Sequence, residues 1–139
     1  MSKSVEEIAA VAVDCGLHMH RDLGPGLLES AYETVLAHLL RQRGLYVETQ
    51  VIVPITYQGM NIDPGFRADI VAEGKLLIEL KSVERLMPVH SKQVLTYLRF
   101  MKLPVGLLMN FSCETFREGL KRVVNNHHEI ESSRLNIHQ

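Results

Sequence analysis

Asp69, Glu79 and Lys81 are the residues of this chain whose types and spacing could do chemistry. The stretch Lys75-Leu-Leu-Ile-Glu79-Leu-Lys81-Ser-Val83 has the apolar content of a buried strand, interrupted by an acid and a lysine. Asp69 lies upstream in a second short strand, Arg67-Ala-Asp69-Ile-Val71. A lone buried carboxylate is strongly unfavourable unless it is paired or bound to a metal. The pattern Asp-x9-Glu-x-Lys therefore predicts two carboxylates sharing a divalent ion, Mg2+ or Mn2+, with waters completing a near-octahedral shell. Such an ion polarises a phosphodiester and lowers the pKa of a bound water. Lys81 would orient or deprotonate the attacking water, or stabilise the charge that develops. The plainer alternative is a Glu79–Lys81 ion pair on a solvated sheet face, with Asp69 a surface acid.

The two acids can share an ion only if their strands present them on one face. Alternation puts Glu79, Lys81 and Leu77 on one side and Leu76, Ile78 and Leu80 on the other, packing inward. The connecting turn then decides, because a slip of one residue turns a strand over. A two-residue loop at Glu73-Gly74 would pair Asp69 with Ile78 and separate the acids. A three-residue loop Ala72-Glu73-Gly74, with Gly74 left-handed, pairs Val71 with Lys75 and sets Asp69 opposite Leu77, diagonal to Glu79 and on its face.

The elements that must carry these residues read as follows. Ser4-x-x-Glu7 is a capping box, and Val5, Ile8, Ala9 and Ala12 follow at helical spacing, which predicts a helix over 5–20. Leu23-Gly-Pro-Gly26 breaks it. A second helix is expected over 27–43, stopped by Gly44. Residues 46–57 alternate as a strand that Pro54 demotes to an edge or a bend. Residues 59–65 read as a turn region, followed by strands over 66–72 and 75–83, a helix over 90–101 and a buried strand over 105–111. Residues 116–124 fit either period. With no repeats and no second domain, the expectation is one domain over 1–125, a mixed sheet flanked by helices, and a polar tail over 126–139.

Composition narrows the function classes. The 139 residues suffice for one domain with a real core, and 46% hydrophobic with 22% charged residues is a globular balance. No apolar run is long enough to span a bilayer and no export signal is visible, so a cytoplasmic protein without membrane contact is expected. Cys15 and Cys113 read as reduced thiols. The net charge of -1 argues against a tight nonspecific nucleic-acid coat but not against transient engagement. The seven histidines lack the spacing of structural zinc: His18 and His20 diverge on a helix, and His127-His128 falls in the tail. No phosphate-cradling glycine loop and no serine triad can be made out, and aromatics at 6% offer no stripe for stacking single strands.

Gly26-Leu-Leu-Glu29-Ser-Ala-Tyr32 matches the motif that names the GxxExxY family, and the preceding Arg21-Asp-Leu-Gly-Pro25 resembles that family too. So do Phe66-Arg-Ala-Asp69, Ile78-Glu-Leu-Lys81, Gln93-Val-Leu-Thr-Tyr97 and Gly106-Leu-Leu-Met-Asn110-Phe111; together the resemblance covers roughly residues 5–125. That family is placed in the PD-(D/E)XK nuclease superfamily. The resemblance implies a restriction-endonuclease-like α/β fold, with a central mixed sheet of four strands or slightly more flanked by helices. It implies Asp69, Glu79 and Lys81 as the core site and Glu29 as the acid of the first core helix, an accessory metal ligand. Gln93-x-x-x-Tyr97 is similar to the QxxxY motif of RecB-type and lambda-exonuclease-like members. Ala68, where many members have proline, is the one departure.

The remaining candidates have structural readings beside the functional ones. Gly26, Glu29 and Tyr32 fall nearly in line on one helix side. Glu29 is either a holder of metal-bound water or a first-turn acid favoured by the helix dipole. Tyr32 either orients that water or substrate or packs in the core. Gln93 and Tyr97 share a helix face, where they position substrate or simply rim the helix; His90 one turn earlier needs no function. Arg67 contacts phosphate or is a plain surface arginine. The function expected is a Mg2+-dependent nuclease acting on DNA in preference to RNA, and a homodimer is compatible with the fold. The alternative is a catalytically inactive module on the same fold, serving a nucleic-acid-processing or defence system.

Overall fold

The computed structural model describes residues 2–126; residues 127–139, most of the expected tail including His127-His128, lie outside the described residues. Helix α1 spans Val5–Leu23 and starts at the expected capping box: the Ser4 hydroxyl accepts from the Glu7 N–H at 3.2 Å while the Glu7 carboxylate accepts from the Ser4 N–H at 3.3 Å. Helix α2 spans Glu29–Gln42. Strands β1 (Val47–Tyr57), β2 (Met60–Ala72) and β3 (Leu76–Lys81) form an antiparallel meander. Helix α3 (Pro88–Met101) then crosses over to β4 (Val105–Asn110), which lies parallel to β3. A short 3-10 turn leads to β5 (Leu120–Val124), antiparallel to β4. The expected mixed sheet is present with five strands, in the order β1-β2-β3-β4-β5.

The core has two parts because the sheet is covered on both sides. Leu76, Ile78 and Leu80 of β3 and Leu107 and Met109 of β4 pack under α1 and α2, against Ile8, Ala12, Met19, Tyr32, Leu36 and Leu40. On the opposite side Val71, Leu77 and Leu108 pack under Val94 and Leu98 of α3. The alternation read along β3 therefore holds. Cys15 is buried, Cys113 is half-buried, and both are free thiols.

Two readings of the strand region need correction. Residues 59–65 are not a turn: the hairpin turns at Gln58-Gly59, both left-handed, and the chain continues as strand from Met60. Pro54 bends the ribbon as expected, because the register shifts between Val53 and Ile55. Val53 pairs with Phe66 and Ile55 with Ile62, so Pro54 stands opposite the extra residues Asp63-Pro64-Gly65. Both prolines, which have no N–H to offer, thus share one irregularity where no ladder bond is required. The segment Asp63-Pro64-Gly65 carries loop-forming residue types but is a bulge in a long ribbon.

The β2–β3 turn is also displaced. Ala72 pairs with Leu76, so the three loop residues are Glu73-Gly74-Lys75 rather than Ala72-Glu73-Gly74. Glu73 and Gly74 are both left-handed, and the Lys75 N–H closes the turn on the Ala72 carbonyl at 3.0 Å. Moving a loop of unchanged length by one residue moves the register by two, which preserves the faces. Extending Val71↔Leu77 and Ile70↔Ile78 by one step brings Asp69 opposite Glu79 rather than Leu77. Residues 116–124 resolve into the 3-10 turn and β5, because Leu120–Val124 completes the edge beside β4.

Candidate active site

The β2–β3 ladder ends at Ile70 and Ile78, and the two acids take over from it. The Asp69 N–H donates to Glu79 Oε2 at 2.7 Å, and the Leu80 N–H donates to Asp69 Oδ2 at 2.9 Å. Each carboxylate thus satisfies a main-chain donor where the strands part. Glu79 is only 3% exposed, and among the described residues it is the one carboxylate in the buried class. Its pKa is pushed up to about 8, first by burial and then by the neighbouring charge of Asp69; the Asp69 N–H and Lys81 pull the other way without cancelling this. Asp69 is raised as well, by burial first and by Glu29 in addition, against the Leu80 N–H, Lys81 and Gln50. Negative charge is crowded here beyond what one lysine compensates.

Lys81 follows Glu79 on the same face of β3, is half-buried, and lies opposite Asn110 of the parallel β4. The Asn110 side chain extends that ladder: its Oδ1 accepts from the Val83 N–H at 3.0 Å and its Nδ2 donates to the Val83 carbonyl at 2.8 Å. This holds the chain leaving Lys81 in line. Tyr97 on α3 stacks on Phe66, with ring centroids 4.0 Å apart, and its hydroxyl pKa is raised by burial and by the charges of Glu79 and Asp69. It therefore stands within the electrostatic reach of the pair. Gln93, one turn earlier on α3, is half-buried.

Glu29 opens α2 and lines the cleft with Ser30, Glu33, Gln50, Asp69 and Leu80, around a space of about 310 Å³. Its Oε2 accepts from the Ser82 N–H at 3.2 Å, so it is turned to the loop after β3 rather than to the acid pair. Tyr32 is fully buried: its ring stacks on Phe111 at 4.6 Å, its hydroxyl donates to the Gly24 carbonyl at 2.5 Å and accepts from the Leu27 N–H at 3.2 Å. Those bonds pin the loop before α2, in which Gly26 sits at φ 108, a conformation that only glycine adopts readily. Gly26 and Tyr32 thus shape the support of Glu29, and Tyr32 is closed off from the cleft. Arg67 is exposed on β2 opposite Ile52. His90 accepts the Met87 N–H at 2.9 Å at the start of α3. His20 is buried with Nε2 against the Cys113 carbonyl at 2.8 Å, while His18 is exposed.

Glu33 and Gln50 are the cleft residues that sequence reasoning missed. Glu33 lies one helical turn after Glu29, so the i, i+4 spacing of two acids was a readable signal. Gln50 gave none, because its place depends on how α2 docks against β1. Glu33 is itself raised, by burial first, with Asp69 adding to the effect and Gln50 opposing it.

A model of the PD-(D/E)XK nuclease superfamily matches residues 6–123. The chain belongs to that superfamily, and its five-stranded mixed sheet flanked by helices is consistent with the restriction-endonuclease-like fold. No curated protein and no solved structure matches it. Among the described residues no helix is long and apolar enough to cross a membrane.

Superfamily nucleases generally use divalent metals, and the donor set here can be tested against one. Among the described residues no three His, Cys, Asp or Glu side chains gather as a metal-binding group. Mg2+ does not require three: it keeps several waters and is commonly held by one or two carboxylates. Asp69 and Glu79 supply hard oxygen donors, each fixed through one oxygen by a main-chain N–H, and a bound cation would favour the ionised forms that burial, and after it the neighbouring acids, disfavour. The pair fits such an ion.

Proposed function

We propose that this chain is a divalent-metal-dependent nuclease of GxxExxY type that hydrolyses phosphodiester bonds of DNA in preference to RNA. The observation that carries the reading is the pair of buried Glu79 and half-buried Asp69, tied to the parting strands, with Lys81 two residues on along the same face of β3. Asp69 and Glu79 would hold Mg2+ or Mn2+, which would supply a polarised phosphoryl group and an acidified water. The Leu80 and Asp69 N–H groups keep both carboxylates from rotating. Lys81 stabilises negative charge on the phosphoryl oxygens and orders the attacking water. Tyr97 offers a hydroxyl to a phosphate oxygen, with Gln93 a turn away along the strand path. Sequence-specific recognition of RNA relies heavily on stacking splayed bases, and the low aromatic content supports a DNA backbone as the preferred substrate.

The test is a cleavage assay with Mg2+ or Mn2+ on single-stranded, duplex and nicked DNA and on RNA, beside Mn2+ titration of the folded chain. Asp69→Ala and Lys81→Ala are expected to lose about 100-fold or more of the activity, with circular dichroism unchanged. A chain that binds Mn2+ at millimolar concentration yet cuts nothing would be the inactive module instead. A chain that binds no divalent ion would end the metal-dependent reading.

A further inference from the structure

Gln50 occupies a backbone conformation that its strand does not demand. Thr49 pairs with Ile70 and Val51 with Ala68, so the register is constant across Gln50 and places it opposite Asp69 without an inserted residue. Yet its φ is 51, left-handed in the interior of β1. Such a conformation is strained for a residue with a Cβ and persists only where surrounding contacts hold it. Among the described residues β1 is an edge strand with no strand on its other side, so the ladder alone leaves room to relax.

The contacts that hold it are two acids. Gln50 Nε2 donates to Glu33 Oε1 at 2.5 Å and reaches Asp69 Oδ1 at 3.5 Å. An amide nitrogen carries two hydrogens and can serve both. Asp69 is thereby fixed through both oxygens, Oδ2 by the Leu80 N–H and Oδ1 by Gln50. Glu33, from a different element, is joined to the same carboxylate by a neutral group. Without that donor the two acids would face one another across the cleft with no hydrogen-bonding group to bridge them.

We infer that Gln50 is a positioning residue for divalent-ion binding, its amide bridging Glu33 to Asp69 and holding the Asp69 carboxylate in place at the cleft it lines. The inference rests on the proposed metal-dependent reading. Groups that orient metal ligands through hydrogen bonds affect affinity by about 10–100-fold when removed.

The test uses the full chain, with Mn2+ affinity measured by calorimetry and by electron paramagnetic resonance of free Mn2+, and the thermal midpoint measured without metal. Gln50→Gly removes the amide and suits the left-handed backbone; Gln50→Asn tolerates that backbone but is one methylene short. Gln50→Gly is expected to keep or raise the metal-free midpoint while weakening Mn2+ about tenfold or more, with Gln50→Asn weakened as well. If wild type binds Mn2+ and Gln50→Gly binds it within about twofold, this inference falls and the proposed function stands. A lower midpoint with unchanged affinity would mark Gln50 as structural only and likewise overturn it. If wild type binds no Mn2+, both fall together.

Discussion

At the turn end of the β2–β3 pair, Ala72 faces Leu76, Val71 faces Leu77 and Ile70 faces Ile78, all buried among helices on both sides of the sheet. One step further along the same strands, Asp69 and Glu79 stand where the next apolar pair would be and take main-chain donors into their carboxylates. The two ends share strands and register. They differ in whether the buried groups satisfy one another. The apolar end gains from every side chain removed from water. The acid end holds carboxyl groups whose ionised form burial disfavours, which raises the pKa of both Asp69 and Glu79. On the proposed function, stability and chemistry are therefore adjacent on one hairpin, and mutation is expected to separate them.

The sharpest way to break the comparison is a cavity at the apolar end. Leu76→Ala, at a fully buried position, is expected to lower unfolding free energy by about 2–5 kcal/mol. Urea denaturation measures the loss. Mn2+ affinity below the transition should stay unchanged, and a parallel drop in affinity would show that the two ends are not separable.

The acid end should answer to pH. Glu79 has its folded pKa pushed up to about 8 from an ordinary 4.5, and Asp69 and Glu33 are displaced in the same direction. Between those two values the folded chain holds a proton that the unfolded chain has released. Stability in a chelator is thus expected to be highest toward the lower value and to decline as pH rises toward the upper one. Glu79→Gln should flatten the slope. Because an ion held as proposed would bind the deprotonated acids, Mn2+ should stabilise most at the alkaline side. Thermal midpoints across that window, with and without Mn2+, would show it; a midpoint that rises with pH in chelator would contradict the crowding described here.

The mildest effect is expected one layer out. Tyr32→Phe removes the bonds to Gly24 and Leu27 but keeps the ring on Phe111, which is worth about 1 kcal/mol. Chemical denaturation should register that loss with Mn2+ affinity intact; a large affinity change would place the tyrosine closer to the ion than its burial indicates.

Much of this site could be read from the chain because alternation survives small errors. The turn was displaced by one residue, yet Asp69 and Glu79 still share a face, since a shift of two in register leaves strand sides unchanged. Buried Leu76, Ile78 and Leu80 were legible for the same reason. What escaped was whatever depends on two distant elements meeting. Gln50 looks like any polar residue of an alternating strand until α2 brings Glu33 to it. Asn110 looks like the end of an apolar run until Val83 folds back on it. The ribbon escaped for a local reason: Asp63-Pro64-Gly65 has the residue types of a loop, and only the matching Pro54 across the ladder makes it a bulge.

The strand order follows the order of the chain, with α3 as the single crossover. Every carboxylate lining the cleft, together with the lysine, consequently comes from before that crossover, while β4 and β5 extend the sheet on the far side of β3. Substitutions accumulating after α3 can retune that side of the sheet without touching an ionisable group of the cleft.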